Sequence, residues 1–372
     1  MYSKRISALI MLSLLFLTPV LTFLSALNKL EDWPVWEDLS FGEKGFVQTV
    51  EELFQENLPV KKELEQLALT IKLRAGQVEQ DNIFILEDML LENIQPPVDA
   101  YVNDNTRAIL RFVEKQRVPT YAMLIPTACA IKQKEVPEFA PLYNQKSLIE
   151  SVYNQFSGQV TTVDVYPTLF DNSDQYIYYK THANLTGLGG YYLYTALGRR
   201  LGISLRGLDK YEIEHVNHSF YGNIYERSPY KEVPADIITL YRFSKNRREY
   251  QVTHINEKEQ KVYYTLYPEF TADLGDPMNV YFGGRSPVVD IQVASSYTGK
   301  LLIFADDTVI SYLPFLLVEY GQITVVDLET ISTEQLAGLD ISGYDQVLFG
   351  YSVDSFMHSS QISRIDELFV MQ

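Results

Sequence analysis

The chain has 372 residues, 46% of them hydrophobic, and a formal net charge of -17 at pH 7. That is enough apolar material for one large domain or two small ones, and so acidic a surface argues against nucleic acid or another polyanion as the main ligand. Cys129 stands alone, which excludes an intramolecular disulfide and places the thiol in the core.

At the N-terminus, Lys4 and Arg5 precede an uncharged, mostly apolar run from Ile6 to Leu27. A run of that length can cross a hydrocarbon core as a helix. Ser25 and Ala26 leave a cleaved signal peptide open, but the length favours an uncleaved anchor spanning residues 1–30. In either case the positive residues stay inside and the rest of the chain lies outside the cytoplasm. Residues 31–76 then read as a helical, membrane-proximal region. Trp33 and Trp36 lie around Pro34, and Phe46, Val50, Leu53 and Phe54 recur at helical spacing, continued by Leu58, Leu64, Leu67 and Ile71.

From residue 77 to 372 a single domain is expected. Strand-like runs at Tyr121–Ile125, Val160–Val165, Leu301–Phe304 and Gln346–Tyr351 alternate with helical stretches at Asn105–Gln116 and Gln145–Gln155. Such alternation predicts an α/β fold with a doubly wound parallel sheet. In these sheets functional loops sit at the carboxyl ends of the strands, which singles out Asp306 and Asp307. Between about 212 and 292 the pattern turns to tyrosine-rich alternation, at Ile237–Phe243, Tyr250–Ile255 and Val262–Tyr267, and predicts a β-rich insertion.

Several segments, in order, resemble the DHHW family of bacterial extracytoplasmic proteins, relatives of the SGNH hydrolases and of alginate-acetylation proteins. They are EELFQENLP (51–59), Pro126–Ala128, YYKTHANLTGLGGYYLY (178–194), SFYGNIY (219–225) followed by Asp236, YFGG (281–284), KLLIFADDTVISYLPFL (300–316) and YDQVLF (344–349). The resemblance implies an SGNH-like fold tethered outside the membrane, often acting with a membrane-bound O-acyltransferase to acetylate a cell-surface polysaccharide. It also implies a Ser nucleophile, a His base and, two residues before the base, an orienting Asp. Here those three positions hold Asp307, Asn184 and His182. An amide cannot take a proton at ordinary pH, and an Asp nucleophile would form a mixed anhydride rather than a durable ester. Leu185 stands where the family has Trp, Arg285 where Asn is common and Ala305 where Lys is frequent.

The resulting expectation is a membrane-anchored, catalytically degenerate partner or glycan-binding subunit in polysaccharide O-acylation or export. An active acetyltransferase or acetylesterase with rearranged residues, and a structural adaptor for a membrane protein, are the alternatives. Ser311, one helical turn after Asp307, and Ser286 are substitute nucleophiles to consider, although Ser near a helix start or in a turn is ordinarily a backbone partner. His182 with Asp306 and Asp307 could ligate a metal, but without a second nearby histidine no metal and no cofactor is expected. Of the 27 tyrosines, most serve packing. Tyr221, Tyr225 and Tyr281, in loop-like surroundings, are the candidates for contact with a sugar.

Overall fold

The computed structural model of the chain describes residues 66, 69–73, 76–138, 140–156, 158–243, 249–268 and 275–369. Two units are distinguished, residues 1–77 with 229–231 and residues 78–228 with 232–372. In the first, described residues 69–73 are helical. The expected anchor and the tryptophans lie outside the described residues, among which no helix is long and apolar enough to cross a membrane.

The second unit opens with a small antiparallel sheet of β1 (Glu79–Gln80), β2 (Ile83–Ile85) and β3 (Leu90–Glu92). Helix α1 (Asp99–Gln116), strand β4 (Thr120–Ile125), α2 (Ala128–Ile131), α3 (Gln145–Gln155), β5 (Thr161–Thr162), α4 (Tyr166–Asp171) and α5 (Gly187–Leu201) follow. Next come β6 (Tyr211–Phe220), α6 (Asn223–Arg227), β7 (Asp236–Phe243), β8 (Tyr250–Ile255), β9 (Gln260–Tyr263) and β10 (Val288–Val293). The last stretch contains β11 (Lys300–Ala305), α7 (Val309–Leu316), β12 (Gln322–Val326), α8 (Thr333–Ala337), β13 (Gln346–Ser352) and α9 (Val353–His358), closed by a 3-10 turn at Gln361–Phe369.

Eight strands form the main sheet in the order β5-β4-β13-β11-β12-β10-β8-β9. The first five run parallel to their neighbours, whereas β10, β8 and β9 are added antiparallel. The central strands lack alternation because both faces are covered: TYAMLI in β4 is buried throughout, and KLLIFA in β11 is buried after its lysine. Phe304 and Phe349 are register partners on β11 and β13 and stack at 5.1 Å, with Phe112 of α1 edge-on to Phe349 at 5.3 Å. Packing of that kind fixes how α1 lies on the sheet.

The β-rich stretch is divided between two sheets. Among the described residues, β6 and β7 pair as an independent two-stranded ribbon. Strands β8, β9 and β10 extend the main sheet, because Val252, Ile291 and Val293 on one face continue its buried layer. The third predicted run, Val262–Tyr267, is strand only to Tyr263; Thr265 instead closes a turn by accepting from Tyr267 N–H at 3.2 Å.

Candidate functional site

The carboxyl ends of β4, β11, β12 and β13 open into one cleft of about 180 Å³, whose lining includes Thr127, Asp306, Asp307, Glu329 and Ser352. Parallel strands make this edge the place where loops can diverge without disturbing the ladder. Asp306 is committed to the scaffold. Its Oδ2 accepts Ser352 N–H at 2.8 Å and its Oδ1 accepts Thr308 N–H at 3.1 Å, so it joins the end of β13 to the start of α7.

Asp307 faces the cleft and pairs with Arg285, Nε to Oδ1 at 2.9 Å. The same guanidinium reaches Asp327 Oδ2 at 2.6 Å and Glu329 Oε2 at 3.2 Å. One cation therefore serves three carboxylates. Removal from water works against the Arg285 charge, but Asp307 and Asp327 outweigh it and hold the guanidinium protonated above its usual range. Removal from water pushes the Asp307 carboxyl up to about 6; Arg285 pulls the other way, and Asp306, Asp327 and Glu329 reinforce the rise. Because 49% of the Asp307 side chain is open to solvent, water screens part of that shift.

The opposite wall is the loop before α5. Its hub is Asp236, a carboxylate with 1% exposure at the start of β7. It accepts Lys180 N–H at 2.7 Å and Thr181 N–H at 2.8 Å, as well as the hydroxyls of Thr181 and Tyr176. Thr181 in turn binds α6, its hydroxyl accepting Gly222 N–H at 3.0 Å and its carbonyl accepting Ile224 N–H at 3.1 Å. A side chain at 222 would collide with the His182 ring, since a Cβ there would lie 2.5 Å from His182 Cδ2. The loop is thus held from beneath without help from the residues at its tip.

At that tip, His182 Nδ1 accepts Asn184 N–H at 3.1 Å, which leaves the proton on Nε2. The ring packs against Tyr179 and Phe220, and burial lowers its pKa below the ordinary value, so at neutral pH it is uncharged. Asn184 is buried and reaches across the cleft, Nδ2 to the Asp307 carbonyl at 3.4 Å. Positions 184 and 307 therefore do meet, but through an amide and a backbone oxygen. Neither group accepts and carries a proton.

The DHHW protein family matches residues 93–326 of this chain. The chain belongs to the DHHW family. The structure is similar to that of a DHHW family protein from Eubacterium siraeum DSM 15702, with a TM-score of 0.61 and 20% identity over 77% of this chain and 98% of that one. Bacillus cereus PatB1 is similar at a TM-score of 0.61 and 15% identity over 76% and 99% of the two chains. A second structure of PatB1, with a sulfonyl adduct, gives 0.59 and 15% over 75% and 98%. At these identities the likeness is one of fold. No curated protein shows significant sequence similarity.

Within this DHHW frame the expected residues fall into three groups. His182, Asn184, Arg285, Asp306 and Asp307 all line the cleft. The rings of Tyr221 and Tyr225 lie tilted against each other with centroids 4.3 Å apart, at the ends of the segment that contributes Asn223 and Ile224 to the cleft. Ser311 and Tyr281 are not among the residues that line the cleft. Ser311 is 4% exposed and donates to the Thr308 carbonyl at 2.8 Å, the ordinary use of a hydroxyl in the first turn of a helix. Tyr281 is 4% exposed and donates to the Thr239 carbonyl at 2.8 Å, so it belongs to the core under β7. Ser286 is likewise buried and donates to Asn256 Oδ1 at 2.9 Å. Asp327 and Glu329 were missed, although their place just after a parallel strand was a signal that could have found them. Among the described residues no group of three or more His, Cys, Asp or Glu side chains is arranged to hold a metal.

Proposed function

We propose that this DHHW protein is a catalytically degenerate, membrane-anchored extracytoplasmic subunit that binds glycan or a partner in cell-surface polysaccharide O-acylation or export. The observation that carries the reading is the Arg285–Asp307 ion pair at the position where the family resemblance implies a nucleophilic serine. An oxygen engaged with a guanidinium is a weak nucleophile, and Asn184 beside it cannot relieve it of charge or proton. The apolar run Ile6–Leu27 supports anchoring, and a membrane-bound O-acyltransferase is the partner that the resemblance implies.

The test is covalent labelling. A sulfonyl adduct requires an activated nucleophile, and PatB1 is known with such an adduct. The full chain, treated with a sulfonyl fluoride and weighed by mass spectrometry, should stay unmodified at the 300–316 segment. The combined variant His182→Asp, Asn184→His, Arg285→Asn, Asp307→Ser should acquire one label there. A label on Asp307 or Ser311 of the unaltered chain would refute the degenerate reading.

A further inference from the structure

A second cavity, of about 410 Å³, lies away from the cleft and shares no lining residue with it. It is walled by the last residues of β7, Tyr241 to Phe243, by Tyr250 at the start of β8, and by Tyr264 and Tyr267 from the turn after β9. Strand β7 connects the two places: Asp236 at its start anchors the cleft loop, and Phe243 at its end reaches the cavity. At about 3.3 Å per residue they stand on the order of 20 Å apart.

Three features distinguish this cavity from an accidental gap. Half of its lining residues are aromatic, contributed by both the β6–β7 ribbon and the edge of the main sheet. Its rim is polar: Arg242 lies over the Tyr267 ring at 4.9 Å and is held by Glu214 at 2.9 Å, with Glu212 beside it. Finally, Tyr264 is 79% exposed, yet it sits on a pinned turn. Thr265 closes the turn, Leu266 accepts Phe282 N–H at 2.8 Å, and the Tyr267 hydroxyl donates to the Tyr241 carbonyl at 2.8 Å. An open ring on a fixed turn loses little entropy when something flat is laid on it.

We infer that this aromatic cavity is a binding subsite for a neutral polysaccharide segment, with Tyr264 as its stacking platform. Sugar rings present flat C–H faces to aromatic rings and a girdle of hydroxyls to polar rims, and this cavity offers both. Its volume falls within the range of ligand sites. The net charge of -17 selects against a polyanionic chain. The inference rests on the glycan-binding role proposed above and gives it a location outside the altered cleft.

The experiment is titration of the full chain with cellohexaose, chitohexaose and, as the anionic comparison, hexamannuronate. Saturable binding of a neutral hexasaccharide is expected, weakened about tenfold by Tyr264→Ala and held within about twofold by Tyr264→Phe. Because Tyr264 is so exposed, neither change should disturb folding, and an unchanged Tm verifies this. Absence of binding by both neutral probes overturns the inference. So does binding that ignores Tyr264→Ala but disappears in Arg285→Ala, which would place the sugar in the cleft and leave the proposed function standing.

Discussion

Asp307 and His182 face each other's problem from opposite signs. Asp307 titrates near 6 in the folded chain against an ordinary 3.8, so between those values the folded state holds more proton than the unfolded one, and acidification favours folding. His182 is lowered from 6.5, so its neutral form is favoured in the fold and its contribution is lost as pH falls through that value. The two oppose each other as the pH falls below about 6. Asp307→Asn removes the first and should therefore lose more stability on acidification than the unaltered chain, measured as urea midpoints from pH 7 to pH 4. Parallel profiles would show that the Asp307 carboxyl is not raised. Removing Arg285 acts differently, since Asp307, Asp327 and Glu329 are then left facing one another. With Asp327 almost enclosed, Arg285→Ala should destabilise by roughly 2 kcal/mol at pH 7 and recover part of that at pH 5. A pH-independent loss would assign the effect to packing instead.

At the scale of elements, the cleft depends on how closely α5 approaches α7. A Cβ on Gly190 would lie 1.9 Å from the Ser311 carbonyl oxygen, so the two backbones meet with no room between them. Gly190→Ala should therefore separate the helices, destabilise the chain by about 3 kcal/mol and shift the turn before α7 that carries Asp307. Thermal unfolding reads the first effect, and a wild-type Tm would show that the crossing relaxes freely. Ser311→Ala, which removes one buried hydrogen bond to Thr308, should lower stability by only about 1 kcal/mol. The central strands β4, β11 and β13 were legible in sequence because unbroken apolar runs have few other uses in an α/β chain, and α3 matched its periodicity residue for residue. The fate of the tyrosine-rich stretch was not legible. Alternation specifies a strand with one covered face, and it cannot specify whether that cover is a new ribbon, as for β7, or the edge of an existing sheet, as for β8 and β10. The burial of Tyr281 was not legible for a related reason. A tyrosine that opens YFGG reads as a loop residue, whereas its hydroxyl reaches the Thr239 carbonyl and draws the ring inward.

For the whole molecule, the site divides into a part that the sequence exposed and a part that only three dimensions could. The segments that resemble the family, with His182, Asn184 and Asp307 within them, are visible in the chain itself. That Arg285 fills the space beside Asp307, drawn there by carboxylates from after β11 and β12, depends on strand order and could not be read from spacing. Together they describe a scaffold that keeps its loops in place through Asp236 and Thr181 around the Arg285–Asp307 pair. The most direct measurement is hydrolysis of an acetyl ester by the purified full chain, set beside Asp307→Ala and Ser311→Ala. The account predicts a rate equal to that of buffer for all three. Turnover by the unaltered chain that either substitution abolishes would contradict it and establish an enzyme built from rearranged residues.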